Sequence, residues 1–237
     1  MGDNLRQRKH FLKEWKWVDE FIKNTGRSAR LFKVDKDKTA ILIIDMQNAF
    51  VAPGATLEFP AARGIVYDIN KLTRACRDSQ IPVIHVLSKY RSKAEFGISN
   101  TLVHSSPISD GRQDPMNELM WNADGTKIWP EIEVDAEKDY EIVKCRYSAF
   151  ISGSSSLERL LRSLDRDNLI VVGLSTHACL STTAMDAMML DFQVTVVSDA
   201  TIGPTDFLHQ VPLMMFKMVF GDVVTTADVL EEIKLLV

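Results

Sequence analysis

The chain has 237 residues and a formal net charge of −4, and 46% of its residues are hydrophobic and 25% charged. These values are typical of a globular protein and exclude a disordered chain, a collagen-like repeat or a disulfide scaffold as a description of the whole. The small negative charge provides no overall field that would favour binding to nucleic acid.

Cysteine usage and apolar runs predict the cellular compartment. The three cysteines are Cys76, Cys145 and Cys179, and such an odd, sparse set favours a reducing environment over a disulfide framework. The sequence has no run of 18 apolar residues that would predict a membrane span. The first ten residues lack the apolar core of a secretory signal. We therefore expect a soluble, cytoplasmic protein.

Residues 1–38 differ in charge from the rest of the chain, with 11 Lys and Arg against 6 Asp and Glu. Apolar residues recur at helical spacing and predict an amphipathic helix over 4–24. Such a helix could lie on a membrane surface. Acidic residues on its polar face favour packing against its own domain or a neighbouring subunit instead. We expect a basic N-terminal arm over 1–38 and one domain over 39–237.

From residue 39 onward, short apolar runs alternate with helical patterns. The predicted strands are 40–44, 82–87, 140–143, 169–172, 194–197 and 222–224. The predicted helices are 61–80, 154–165, 178–191, 206–219 and 226–236. This alternation predicts an α/β fold with a mostly parallel sheet and helices on both faces. The polar segment 89–139, with a short helix around 114–121, is long enough to predict a substrate-binding or lid insertion.

Three chemically complementary residues follow predicted strands. Asp45 follows the first run, Lys144 the third and Cys179 the fourth, and in such sheets ligands bind at the carboxyl ends of strands. Each residue alone has a simpler explanation. Asp45 could cap a helix, Lys144 could be a solvated strand end, and Cys179 could be a small buried hydrophobic residue. Their joint placement at one edge favours a catalytic site.

This combination of residues suits nucleophilic catalysis. A thiol needs help to form a thiolate, and Cys179 lies at the predicted start of a helix, where backbone N–H groups favour an anion. Lys144 supplies positive charge, and Asp45 can accept the thiol proton and later return it to a leaving amine. The N–H groups of Ala178 and Cys179 are the candidate oxyanion hole.

The sequence around these residues resembles the isochorismatase-like cysteine hydrolases. The matching segments are 42–50 (LIIDMQNAF), 144–150 (KCRYSAF), 173–179 (GLSTHAC), 181–187 (STTAMDA) and 198–201 (SDAT). The resemblance implies a Rossmann-like six-stranded sheet, a triad of Asp45, Lys144 and Cys179, and a cis peptide bond before Ser175. It covers about residues 39–225.

The subclass follows from two details. Cys179, six residues after Gly173, is typical of the amide-hydrolysing members, whereas the ether-cleaving members do not use the cysteine. The nicotinamidases of the family carry an Asp-x-His metal motif, and no histidine here is preceded two positions earlier by aspartate. The resemblance therefore points to ureidoacrylate and carbamoyl-amide hydrolases, without a metal or other cofactor.

The remaining candidates concern substrate binding and association. The expected substrate-contacting residues are Gln47, Phe50, Trp129, Arg146, Tyr147, Ser175 and Thr201, with Arg146 a carboxylate ligand or a structural ion pair. His177 is expected to be a structural histidine. We expect a hydrolase of linear amide or ureide C–N bonds acting through a thioester, with a small-molecule substrate and no nucleic-acid or membrane partner. The family resemblance and the amphipathic arm suggest a homo-oligomer, a dimer or tetramer. The alternatives are an isochorismatase-type vinyl ether hydrolase and a non-catalytic scaffold.

Overall fold

A single parallel sheet of six strands forms the centre of the molecule. The computed structural model describes residues 2–96 and 114–236. The strands are β1 (Thr39–Ile44), β2 (Val83–Ser88), β3 (Tyr140–Lys144), β4 (Asn168–Leu174), β5 (Gln193–Ile202) and β6 (Asp222–Val224). Their order is β3-β2-β1-β4-β5-β6, and every neighbouring pair is parallel. The predicted α/β fold is confirmed.

Seven α-helices surround the sheet in the described ranges. They are α1 (Gly2–Asn24), α2 (Asn48–Val51), α3 (Val66–Asp78), α4 (Leu157–Ser163), α5 (Cys179–Met189), α6 (Asp206–Val219) and α7 (Thr226–Lys234). Two predicted helices differ. The first turn of the helix predicted at 61–80 is a 3-10 helix, Pro60–Ile65, and the one predicted at 114–121 is a 3-10 helix, Pro115–Leu119, capped by the Asp114 side chain. None of the described helices is long and apolar enough to cross a membrane.

The alternation of side chains along the strands builds two apolar layers. Ile41 and Ile43 of β1 face α3 and α7, whereas Leu42 and Ile44 face α4, α5 and α6. Because both faces are covered, all six residues of β1 are buried. Near-continuous apolar runs are what a parallel sheet with helices on both faces requires.

Strand β4 ends in an irregular turn that leads to α5. The pairing of β4 with β5 shifts register between Val171 and Gly173, and Gly173 has a φ of +105°. A Cβ at Gly173 would lie 2.3 Å from the Ile44 carbonyl oxygen. Only glycine therefore allows β1 and β4 to lie this close where the chain turns toward Cys179.

Helix α1 packs on the same chain. Phe11, Val18 and Ile22 form an apolar cluster with Met214 of α6, and the Trp15 indole donates a hydrogen bond of 2.7 Å to Gln210. The described side chains of α1 thus pack against the chain's own domain, which is one of the placements predicted for the arm. The domain boundary after residue 38 and the lid role of 89–139 stay predictions.

The segment after α1 is fastened to the far edge of the sheet by Arg30. Its guanidinium donates to Asp222 Oδ2 at 2.9 Å and to both carboxylate oxygens of Glu232 at 2.9 Å. Asp222 Oδ2 also accepts the N–H groups of Leu31 and Phe32. The Asp222 side chain is only 2% exposed, so its charge depends on this pairing.

Replacing Arg30 by alanine should therefore lower the free energy of unfolding by about 2–4 kcal/mol, because it leaves a buried carboxylate without its cation. Urea denaturation monitored by circular dichroism measures the change. Lys38→Ala is the matched control, since it removes a cation from an exposed ion pair with Asp165, and we expect little change. Equal effects of the two substitutions would contradict the buried role of Arg30.

Candidate active site

The structure brings Asp45, Lys144 and Cys179 together at the carboxyl edge of the sheet. Asp45 directly follows β1, Lys144 is the last residue of β3, and Cys179 is the first residue of α5. Lys144 Nζ lies 3.0 Å from Asp45 Oδ2. The Cys179 thiol interacts with both charged groups. Three residues from distant parts of the chain thus form one cluster beside a cavity.

Asp45 occupies a buried and tightly defined position. Its backbone has a φ of +52°, and its N–H donates to the Val86 carbonyl at 2.9 Å. Oδ1 accepts a hydrogen bond of 3.0 Å from the Ser88 hydroxyl. Oδ2 lies 3.0 Å from Lys144 Nζ, and the carboxylate also interacts with the Cys179 thiol. Asp45 is therefore a carboxylate placed beside a thiol and a cation.

Lys144 is a fully buried cation. Its ammonium donates to Ser88 Oγ at 2.7 Å and to the Arg146 carbonyl at 3.2 Å, in addition to its pairing with Asp45. Burial acts to lower the pKa of Lys144, but the negative charges of Asp45 and Cys179 outweigh it and raise that pKa overall. Lys144 consequently remains protonated and balances the charge of the Asp45 carboxylate.

The Cys179 side chain is partly exposed and lines the cavity. Burial, supported by the nearby Asp45 carboxylate and opposed by Lys144, raises the pKa of its thiol to about 12. A raised thiol pKa favours a protonated Cys179 beside the Asp45 carboxylate in the resting protein.

Ser88 is a site residue that sequence reasoning missed. It ends β2, donates to Asp45 and accepts from Lys144. Its own backbone is held by Gln47, whose amide accepts from the Ser88 N–H at 2.7 Å and donates to the Ser88 carbonyl at 3.0 Å. The signal was present, because Ser88 is the first polar residue after the second apolar run, as Asp45 is after the first.

The backbone before Cys179 modifies the predicted oxyanion hole. The Leu174–Ser175 peptide bond is cis, as the resemblance implied. The Ala178 N–H already donates to the Ser175 carbonyl at 3.0 Å, because the chain makes a tight turn there. Among the described residues no acceptor pairs with the Cys179 N–H. The Ala178 N–H is therefore occupied, and the Cys179 N–H is without an acceptor in the described ranges.

A cavity of about 300 Å³ opens beside Cys179. Of the predicted substrate-contacting residues, Phe50, Tyr147 and Ser175 line it. His177, expected to be structural, has an exposed side chain and lines it too. Further lining residues that the sequence did not single out are Leu57, Phe59, Met116, Leu119 and Leu174.

Four predicted substrate-contacting residues lie outside this cavity. Gln47 is fully buried and supports Ser88. Trp129 packs on the core beside α3, and Arg146 donates to the carbonyl groups of Glu95 and Cys145. Thr201 donates to the Gly173 carbonyl at 2.7 Å. The polar groups of Gln47, Arg146 and Thr201 are thus engaged by protein groups, whereas Trp129 contributes packing.

No ligand set for a metal ion is formed by the described residues. In the ranges 2–96 and 114–236, no three His, Cys, Asp or Glu side chains approach one another closely enough to hold one. The charged groups beside Cys179 are one carboxylate and one ammonium, and an ammonium group is a hydrogen-bond donor with no lone pair for a metal. The cluster as described is suited to proton transfer and nucleophilic attack.

Lys144→Met should lower the free energy of unfolding by about 3–5 kcal/mol, because it leaves the buried Asp45 carboxylate unpaired. Urea denaturation at neutral pH measures the loss. The double variant Asp45→Asn/Lys144→Met is the matched control, since it removes both charges, and it should lose clearly less. If the single and double variants lost the same amount, the pairing of Asp45 with Lys144 would not be the cause.

Comparison with known proteins agrees with this geometry. Residues 39–228 match the model of the isochorismatase domain. The chain is 30% identical over 210 residues to the ureidoacrylate amidohydrolase RutB of Caulobacter segnis, covering 82% of this chain and 85% of that protein. It is 30% identical over 180 residues to a probable inactive nicotinamidase of Arabidopsis thaliana, covering 76% of this chain and 88% of that protein.

Solved structures show the same architecture. A cysteine hydrolase from Pseudomonas syringae pv. phaseolicola superposes with a TM-score of 0.78 at 24% identity, over 89% of this chain and 99% of that one. That likeness concerns the fold. The family model spans most of the chain and contains Asp45, Lys144 and Cys179 within its limits. The chain is therefore a member of the isochorismatase family of hydrolases.

Proposed function

We propose that this protein is a cysteine-dependent hydrolase of a linear amide or ureide C–N bond. The observation that carries the proposal is the Cys179 thiol at a cavity, beside the buried pair of Asp45 and Lys144. Similarity to a ureidoacrylate amidohydrolase supports the same reaction class. Because the sequence identity is only about 30%, the identity of the substrate has to be inferred from the cavity walls and established by experiment.

The first half of the reaction acylates the enzyme. Asp45 takes the thiol proton, and the sulfur of Cys179 attacks the carbonyl carbon of the substrate. The Cys179 N–H stabilises the oxyanion, a type of contact worth about 2.7–4 kcal/mol per donor. The tetrahedral intermediate then collapses, the C–N bond breaks, and the leaving nitrogen takes the proton from Asp45. The products of this half are a thioester on Cys179 and free ammonia or an amine.

The second half releases the acid. Asp45 removes a proton from water as the water oxygen attacks the thioester carbonyl. The C–S bond breaks, and the departing sulfur takes back the proton from Asp45. Lys144 keeps its proton throughout and neutralises the negative charge as it moves between Asp45 and the sulfur.

Ammonia release from a panel of amides and ureides tests the proposal. The panel contains ureidoacrylate, carbamoyl-amino acids, biuret, maleamate, nicotinamide and aliphatic primary amides. Release from at least one compound, with alkylation of Cys179 by iodoacetamide abolishing it, is the expected result. Release that persists after complete alkylation of Cys179 would contradict the cysteine mechanism. Homo-oligomeric assembly and a cytoplasmic location stay predictions.

A further inference from the structure

We infer that the substrate is a neutral amide or ureide with an apolar acyl group, and that a carboxylate-bearing substrate is disfavoured. The inference rests on the proposed function for its chemistry and on the cavity for its charge preference. The walls opposite Cys179 are formed by Phe50, Leu57, Phe59, Met116 and Leu119. These side chains offer an acyl group only apolar contact.

The polar groups at the cavity do not supply a cation. Partial desolvation lowers the pKa of His177, which favours the neutral form of its ring. Burial is also the main cause that raises the pKa of Tyr90, which keeps that phenol neutral. The described lining includes no lysine or arginine. The nearest cation, Lys144, is already neutralised by Asp45.

Cations that lie close in sequence to the lining residues are engaged with other groups. Arg63 is paired with Glu58 at 2.9 Å, and Lys89 is paired with Glu141 at 2.5 Å. Arg91 lies over the Trp121 ring, 5.2 Å from its centroid, and Arg146 donates to the Glu95 and Cys145 carbonyl groups. Among the residues that the structure describes, a substrate carboxylate would therefore find no partner in this apolar space.

Burial in the cavity has opposite effects on a charged group and on an apolar group. An unpaired charge loses its hydration when it is buried and regains nothing from an apolar wall. An apolar acyl group gains instead, by about fourfold in affinity for each methylene group that leaves water. The cavity should thus bind a neutral ligand more tightly than an anionic ligand of the same size.

Alkylation of Cys179 tests this without knowledge of the substrate. Iodoacetamide and iodoacetate are nearly equal in size and differ by one charge, and each rate at Cys179 is followed by peptide mass spectrometry at pH 8.5. The measured ratio is the rate with iodoacetamide divided by the rate with iodoacetate. We expect this ratio to be at least about tenfold larger for Cys179 than for glutathione. N-hexyl iodoacetamide should react faster at Cys179 than iodoacetamide does. A ratio equal to that of glutathione, or faster reaction with iodoacetate, would overturn the inference.

A substitution that adds a cation to the cavity wall tests the same charge preference. Leu57→Lys places a cation in the half-buried part of the wall and should move the ratio toward that of glutathione or below it. Leu12→Lys is the matched control, because Leu12 is 68% exposed on α1, and it should leave the ratio unchanged. If Leu57→Lys does not fold, the wild-type ratio still decides. An unchanged ratio in a folded Leu57→Lys variant would overturn the inference.

Turnover separates this inference from the proposed function. Hexanamide and the monoamide of adipic acid have the same chain length, and only the latter carries a carboxylate. A kcat/KM at least about 10²-fold higher for hexanamide supports the inference. Better hydrolysis of the adipic monoamide would overturn it while leaving the amidohydrolase proposal intact. If no compound of this pair or of the panel were hydrolysed, the proposed function would fail, and the alkylation ratio would still decide the charge preference.

Discussion

Replacement of Cys179 by alanine is expected to lower kcat for amide hydrolysis by at least about 10⁴-fold. Removing the nucleophile of a comparable covalent hydrolase costs about 10⁶-fold, and binding with oxyanion stabilisation leaves a residual rate. In this chain Asp45 could still activate a water molecule, which sets the lower figure. Steady-state ammonia release at saturating substrate measures the loss.

The matched control for this variant is Cys145→Ala. Cys145 carries a half-buried thiol outside the cavity lining, so its removal should leave kcat within about twofold. Cys179→Ser should resemble Cys179→Ala, since a hydroxyl is much harder to deprotonate than a thiol. A Cys179→Ala enzyme that retained a tenth of the wild-type kcat would exclude the thioester route.

Asp45→Asn should change the reactivity of the thiol and the rate of turnover in opposite directions. The Asp45 carboxylate contributes to the raised pKa of Cys179, whereas Lys144 lowers that pKa. Without the carboxylate, the cation acts alone against burial, so the pKa of Cys179 should fall below the wild-type value of about 12. Alkylation by iodoacetamide near pH 8 should become faster. Turnover should fall by about 10² to 10⁴-fold, because no group remains to carry the proton.

The pH profile of alkylation by iodoacetamide measures the first effect, and ammonia release measures the second. Lys144→Met should move the profile in the opposite direction, to higher pH, because it removes the opposing cation. Asp165→Asn, at an exposed ion pair with Lys38, is the control and should leave both quantities unchanged. If Asp45→Asn kept the wild-type rate of ammonia release, Asp45 would not carry the proton and the proposed proton transfer would be wrong.

The part of the fold that the sequence predicted is the part governed by apolar periodicity. The run at 40–44 is buried on both faces, and the run at 140–143 is a partly exposed edge strand. Both patterns indicated strands, and the strand ends placed Asp45 and Lys144. Strand β5 was predicted too short, at 194–197. Its extension to Ile202 depends on the register shift beside Gly173, a tertiary feature with no period in the sequence.

The residues that were missed are defined by contacts between distant segments. Ser88 bridges Asp45 and Lys144 through its hydroxyl. Its place after the second apolar run was a signal, but the sequence does not show which strand-end side chains meet. The walls at Leu57 and Leu119 come from loop and 3-10 segments, where no periodicity indicates which side chain faces the cavity. Arg146 was a candidate because of its charge, and its guanidinium is bound to two backbone carbonyl groups instead.

Trapping the acyl-enzyme tests the central claim most directly. The wild-type protein is mixed with an amide that it hydrolyses, quenched in acid and digested, and the Cys179 peptide is weighed by mass spectrometry. A parallel reaction contains hydroxylamine, which captures a thioester as a hydroxamate. We predict that the Cys179 peptide carries the mass of the acyl group and that hydroxamate forms at the expense of acid. Undiminished acid formation with neither adduct nor hydroxamate would contradict covalent catalysis by Cys179.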